Sequence, residues 1–180
     1  MEHPSVIVEE KLEGEEFSLQ SFADGKHLID CPPVQDHKRA FAGDKGPNTG
    51  GMGSYSNSDH LLPFLTKKDV EEAHEITKQV MEAIYKETGT LYKGVMYGGF
   101  IVTKDGVKLI EYNARLGDPE AMNVLPILKT DFVKICQAII DGTLNKVKAK
   151  FEPMATVCKY AVPEGYPNHP VANKKVDVSE

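Results

Sequence analysis

Cysteine is scarce in this chain of 180 residues: Cys31, Cys136 and Cys158 lie far apart, are odd in number and show no Cys-x-x-Cys spacing. That argues against both a disulfide framework and a zinc site, and leads us to expect three buried, reduced thiols. Long apolar runs are lacking too. No stretch approaches the roughly 18 apolar residues of a membrane span, and the opening Met1-Glu2-His3-Pro4 has neither the basic segment nor the apolar core of a secretory signal. A cytoplasmic location with no membrane partner is the resulting expectation. Basic charge is not in excess either, since the formal net charge is -6, which disfavours a broad contact with nucleic acid. Internal repeats and low-complexity tracts are absent from the sequence.

What is present is a globular composition, 41% hydrophobic and 27% charged, in a length that suits one domain with its own core. Residues 5–10 and 16–23 have the β-branched and aromatic content of strands, and 26–31 form a third. Val6-Ile7-Val8 has no preceding element to pair with, so the sequence is expected to start inside a domain. Asp24-Gly25 predicts a two-residue hairpin in which both residues tolerate positive φ. From Pro32 to Pro63 the pattern is that of a long functional loop. Val70, Ala73, Ile76, Val80 and Ile84 mark one face of a helix over 67–88, with a capping box at Thr66 and Asp69 and a stop at Gly89. Strands at 93–103 and 107–113 make a second hairpin. Asp118 as N-cap with Pro119 predicts a helix to about Lys129, another runs from Asp131 to Ile140, and a strand covers 155–162. Hairpins and helices in separate runs indicate an α+β fold, mainly antiparallel.

Several segments have residue types suited to chemistry. Glu111 and Asn113, two apart on a strand, share a face with Leu109, while Ile110 and Tyr112 face the other way. A carboxylate and an amide oxygen side by side suit Mg²⁺ or Mn²⁺; an ordinary polar strand end has the same pattern. Arg115 and the helix opening at Asp118-Pro119-Glu120 suit an anionic group, with Asp118 read equally well as a cap. The run Gly46-Pro47-Asn48-Thr49-Gly50-Gly51-Met52-Gly53 offers backbone N–H groups to a ligand or makes a turn; with Met52 where a Lys would be needed, it is no Walker A loop. Gln35-Asp36-His37-Lys38-Arg39 is a phosphate grip or a solvated charge run. The carboxylates from Glu9 to Glu16 either hold ribose hydroxyls or protect a strand edge.

Taken in order, these blocks resemble the glycinamide ribonucleotide synthetase family of ATP-grasp ligases over about residues 6 to 162. The stretches are Val8 to Glu16, Gln35 to Arg39, Gly46 to Ser56, Gly94 to Gly99 and Glu111 to Glu120. Gln-Asp-His-Lys-Arg followed by Gly-Pro-Asn-Thr-Gly-Gly-Met-Gly is the most specific of them.

The resemblance implies an ATP-grasp core at 1–162 and, at 163–180, a tail or the start of a C-terminal domain. It implies a ligase that joins glycine to 5-phosphoribosylamine with ATP, through glycyl phosphate, in purine synthesis. Glu9, Leu12 and Glu16 would contact adenosine, and Glu111 and Asn113 the metal. Asp36, Lys38, Thr49, Gly50, Gly51, Met52, Arg115, Asp118 and Pro119 would line the glycine and phosphoribosylamine side, with Arg115 and Asp118 as catalytic candidates. Alternatives are an ATP-grasp ligase for another carboxylate and amine, or a non-catalytic nucleotide-binding module. The chain departs from the family in two places. Val95 to Phe100 carries no carboxylate where many ATP-grasp enzymes have another metal ligand, and Tyr112-Asn113-Ala114-Arg115-Leu116 stands for the commoner Phe-Asn-Cys-Arg-Phe. The family's N-terminal domain, its lysine-bearing phosphate loop and most of its C-terminal domain are not in the sequence. The 180 residues alone are therefore expected to bind ATP weakly and not to turn over.

Overall fold

The structure, a computed structural model, describes residues 6–177 and 179. Its strands are β1 (Glu15–Ala23), β2 (Leu28–Asp30), β3 (Gln35–Asp36), β4 (Arg39–Phe41), β5 (Lys45–Asn48), β6 (Gly53–Ser56), β7 (Gly94–Thr103), β8 (Gly106–Asn113) and β9 (Thr156–Lys159). Its helices are α1 (Lys67–Thr88), α2 (Ala121–Val124) and α3 (Phe132–Asp141). The main sheet has the order β2-β1-β7-β8, and its pairs are antiparallel. A smaller sheet, β3-β6-β9, and the hairpin β4-β5 complete the set. The α+β expectation holds.

β1 is buried along its length from Phe17 to Ala23 because both faces of the main sheet are covered. On one face Phe17, Leu19, Phe100 and Val107 pack with Leu62, Leu65 and Ala73 of the α1 side. On the other, Phe22 and Val34 pack with Val124 and with Ile135, Ala138 and Ile139 of α3. Alternation along β1 sends successive side chains into these two layers. α1 begins on the predicted capping box, with Thr66 and Asp69 bonding each other's backbone, and ends at Gly89 in the left-handed conformation. α3 is capped by Asp131 and ends at Gly142 in the same way.

Five expectations are corrected. Residues 6–10 belong to no strand, and Val6, Ile7 and Val8 are exposed; residue 5 lies outside the described residues. The β1–β2 connection has four residues, since Ala23 pairs with Leu28. Gly25 takes a positive φ of 89°, whereas Asp24 contributes its buried carboxylate, which accepts from the backbone N–H groups of Lys26, His27 and Leu144. The stretch from Pro32 to Pro63 is largely an antiparallel ribbon that goes out through β3 and β4 and back through β5 and β6. Helix α2 ends at Val124, not Lys129: Leu125 still has helical geometry, with φ -68° and ψ -40°, but Pro126 after it supplies no N–H to continue the ladder. Of the thiols, Cys31 is buried, with its titration pushed well up by burial; Cys136 and Cys158 are half-buried, and all three are free.

Candidate functional site

The face of the main sheet turned away from α1 forms the floor of the site. Register places Glu16, Ser18, Gln20 and Phe22 of β1 there, beside Ile101, Gly99, Tyr97 and Val95 of β7. On β8, Glu111 pairs with Gly99 and Asn113 with Tyr97, but Phe100 pairs with Leu109, so Ile110 is an extra residue. This β-bulge corrects the expected alternation: beyond Ile110 the faces exchange, and Leu109 falls in register with the α1 side. Ile110 instead joins Glu111 along one narrow cleft. Glu111 and Asn113 share the site face as expected, with Asn113 Nδ2 3.3 Å from Glu111 Oε1.

At the open edge of this floor lies a cavity of about 440 Å³ whose walls include Glu9, Leu12, Glu16, Ile101, Leu109 and Ile110. The three residues expected at adenosine therefore meet in one place, with aliphatic walls for a purine and carboxylates for hydroxyl groups. The narrow cleft continues from Glu16 past Ile110 and Glu111 to Asp36, Lys38 and Tyr97. A further cavity of about 470 Å³ opens beyond it between Asp36, Lys38, Arg39 and Asn48. Lys38 Nζ stands 3.7 Å from Glu16 Oε2, an exposed pair worth little to stability but one that brings a cation between the two cavities.

Asp36 is a half-buried carboxyl in this passage. Burial pushes it up to about 6; Lys38 pulls it down, while the charges of Glu120 and Glu16 push it further up. His37 is exposed and stacks on Tyr55, with ring centroids 6.0 Å apart.

The glycine-rich run is fastened to this strand. Thr49 N–H and hydroxyl both donate to Lys38 O, at 2.7 and 2.9 Å, and Met52 N–H donates to His37 O at 2.7 Å. Gly51 N–H donates to Thr49 Oγ1 at 3.0 Å. Gly51 has φ 129°, and a Cβ there would stand 2.9 Å from Pro119 Cδ, so this glycine lets the run lie against the turn at Asp118-Pro119. Thr49 to Met52 and Asp118-Pro119 are thus brought together.

Arg115 and Asp118 point to different partners. The exposed Arg115 guanidinium donates to Leu116 O at 2.9 Å. Asp118 does not cap α2, whose start has no side-chain cap, but accepts the hydroxyl of Tyr160. Sequence reasoning passed over four residues that build this corner: Gln20, Tyr97, Glu120 and Tyr160. Glu120 and Tyr97 stood inside two of the matched stretches and Gln20 and Tyr160 outside them, but all except Glu120 are far from this turn in sequence, so no local pattern joins them to it.

Glu111 and Asn113 fit a divalent cation by the chemistry of their donors, an exposed carboxylate that accepts from Asn113 Nδ2 at one oxygen beside an amide that also carries an oxygen. Among the described residues no group of three or more His, Cys, Asp or Glu side chains is placed to hold a metal ion. A cation at the pair would accordingly complete its shell with phosphate oxygens and water.

An antiparallel sheet of this order, with a cavity of mixed aliphatic and charged lining at its edge and a carboxylate and amide at a strand end, is the architecture of an ATP-grasp domain. A solved phosphoribosylamine–glycine ligase from Thermotoga maritima has the same fold over 90% of this chain and 39% of its own, with a TM-score of 0.75 and 32% identity. The profile of the family described as phosphoribosylglycinamide synthetase, ATP-grasp (A) domain, matches residues 2–121, and the chain belongs to that family. It is similar to phosphoribosylamine–glycine ligase of Methanocella arvoryzae, at 56% identity over all of this chain and 42% of the relative. The ligase of the same name from Methanothermobacter thermautotrophicus is 58% identical over 99% of this chain and 40% of its own. The chain thus spans about two fifths of the length of these relatives.

Proposed function

We propose that this chain is part of an ATP-dependent ligase that joins glycine to 5-phosphoribosylamine, yielding glycinamide ribonucleotide, ADP and phosphate, in purine biosynthesis. The observation that carries the reading is the succession of neighbouring cavities that share Glu16, from that of Glu9 and Leu12, past Glu111, to that of Asp36 and Lys38. Its order matches the order of groups in the reaction: adenosine, phosphates, then the phosphate-bearing amine. In the first step a glycine carboxylate oxygen takes the γ-phosphoryl group and ADP leaves. In the second the amine nitrogen forms the amide bond, phosphate leaves and the nitrogen gives up a proton.

Leu12 with Ile101 and Ile110 would hold the base, and Glu9 and Glu16 the ribose. Glu111 and Asn113 would hold Mg²⁺ or Mn²⁺, which when bound neutralises phosphate charge. Lys38 suits the phosphate of the amine substrate, and Gly50 and Gly51 let it approach a run whose Thr49, Gly51 and Met52 N–H groups are themselves engaged in holding the run in place; Arg115 and Asp118 suit the carboxylate and amino ends of the reacting pair. The fastening of the glycine-rich run to Lys38 and against Pro119 supports one shared substrate side. Residues 1–162 would form the ATP-grasp region, and 163–180, whose described residues follow the last strand, form no helix or strand and are mostly exposed, the start of a further part. The remaining length of the relatives would supply the rest of the enzyme. Among the described residues no helix is long and apolar enough to cross a membrane; a cytoplasmic location goes with water-soluble substrates.

The test is ADP release by the full-length protein. It should require glycine and phosphoribosylamine together; ADP release with neither, or with a different carboxylate and amine, would remove this reading.

A further inference from the structure

The turn that carries Asp118, and that Arg115 leads into, is gripped by two side chains from the middle of the sheet. Gln20 on β1 and Tyr97 on β7 are register partners, so they leave the same face side by side. Gln20 is 1% exposed and Tyr97 6%. Gln20 Oε1 accepts the Gly117 N–H at 2.7 Å, and the Tyr97 hydroxyl donates to Glu120 Oε1 at 2.6 Å. The two bonds take hold of the first and last residues of the four-residue turn.

Three further observations show how closely this grip is made. A Cβ at Gly117 would lie 2.5 Å from Glu120 Oε2 and 2.7 Å from the Tyr97 ring, so only glycine lets the turn settle onto the tyrosine. Glu120 is 2% exposed, and a bond from a neutral donor to a buried carboxylate is among the stronger kinds. Gln20 Nε2, in contrast, is buried with no hydrogen-bond partner among the described residues. The amide orientation therefore follows from its acceptor side: the Gly117 bond is kept although the other end is left unsatisfied.

We propose that Gln20 and Tyr97 are positioning residues of the ligase, holding the Gly117–Glu120 turn so that Arg115 and Asp118 are presented to glycine and phosphoribosylamine. The proposal rests on the ligase reading above. Gln20 is not among the residues lining the cavities described above, the Tyr97 ring borders the narrow cleft while its hydroxyl is taken up by Glu120, and neither residue lines the nucleotide cavity at Glu9, Leu12 and Glu16. Burial, with the nearby Glu120 charge, raises the Tyr97 phenol well above its ordinary range, so it remains a donor throughout the working pH range.

The test uses Tyr97→Phe, which removes the hydroxyl and keeps the ring, and Gln20→Leu, which removes the acceptor, each in the full-length protein. Each should lower kcat/KM for glycine and for phosphoribosylamine by about 10- to 100-fold, while KM for ATP stays within about twofold. Amide exchange at Gly117 should quicken at least about tenfold in Gln20→Leu. Unchanged kinetics would overturn the proposal, as would equal losses in all three substrates together with a lowered Tm. A wild-type protein that does not use glycine with phosphoribosylamine would overturn the ligase reading instead, and exchange at Gly117 would still decide whether the turn is held by Gln20.

Discussion

Two aspartates twelve residues apart in sequence have opposite surroundings. Asp24, at the β1–β2 corner, has a fully buried side chain that accepts from three backbone N–H groups and lies 3.0 Å from the His27 ring. Burial alone would raise its pKa, but the hydrogen bonds from His27, Lys26 and Leu144 outweigh that and hold it at about 2. Asp36, in the cleft, is half-buried among Glu120 and Glu16 with Lys38 as the compensating cation, and stands at about 6. The fold meets one charge with its own donors and leaves the other short of them. A carboxylate saturated by backbone N–H groups holds structure together, whereas one held short of partners is a candidate for ligand contact.

The largest effect expected from this contrast is at Glu111, on the cleft side. Glu111→Ala in the full-length protein should lower kcat by at least about 10³-fold through loss of phosphate charge neutralisation, with Tm nearly unchanged because the side chain is exposed. Turnover within tenfold of wild type would remove Glu111 from the metal site and favour a non-catalytic nucleotide-binding role.

Asp24 should behave in the opposite way. Asp24→Ala leaves the Leu144 N–H, 3.0 Å from its acceptor, unpaired inside the molecule, at a cost of about 2 to 3 kcal/mol in denaturant melts. The pH dependence has a definite sign. The folded pKa is below the unfolded value, so the contribution of Asp24 is fully present above about pH 4 and is lost as pH falls towards 2. The gap between wild type and variant should therefore close in acid; a gap that stays constant from pH 6 to pH 3 would show that the lost stability is packing and not charge.

For Asp36 the sign reverses. Its folded pKa is raised, so the native state binds the proton more tightly and stability falls as pH climbs from about 4 to 6. Asp36→Asn should stabilise the protein by about 1 kcal/mol at pH 7, discounted for partial exposure, while lowering turnover. A variant that is both less stable and less active would make Asp36 a second structural aspartate and end the contrast.

How much of this was legible in the sequence depends on the distance over which each feature is determined. The α1 helix, its Thr66–Asp69 box and its Gly89 stop are local chemistry, and they appear where the pattern placed them. The β7–β8 hairpin and the meeting of Glu9, Leu12 and Glu16 in one cavity also follow from motif and order. Ile110 was misplaced because a bulge is decided by the partner strand, and nothing in Leu109-Ile110-Glu111 announces it. The ribbon from β3 to β6 looked like loop because its short strands have no alternating apolar face of their own. Gln20 meets a turn 97 residues away, and Tyr97 one that is 23 away; neither gives a local signal.

The smallest effect tests whether the structural side of the comparison extends beyond Asp24. Asp30 on β2 takes the Ser21 hydroxyl at 2.7 Å and lies 2.7 Å from Nδ1 of His74 on α1, so one carboxylate ties the helix to the sheet. The hydrogen bond to Asp30 is the main reason the His74 pKa is raised; burial and Lys78 oppose the rise, and the charges of Asp30 and Glu75 support it. A raised imidazole stabilises fully below its unfolded pKa and loses that contribution as pH rises through the folded value. His74→Gln should therefore cost about 0.5 to 1 kcal/mol near pH 5.5 and progressively less towards pH 8.5. The reading is Tm of wild type and variant over that range. A difference that grows with pH would mean that neutral His74 holds Asp30 better than the charged form does, and that the tie is a packing contact rather than an ion pair.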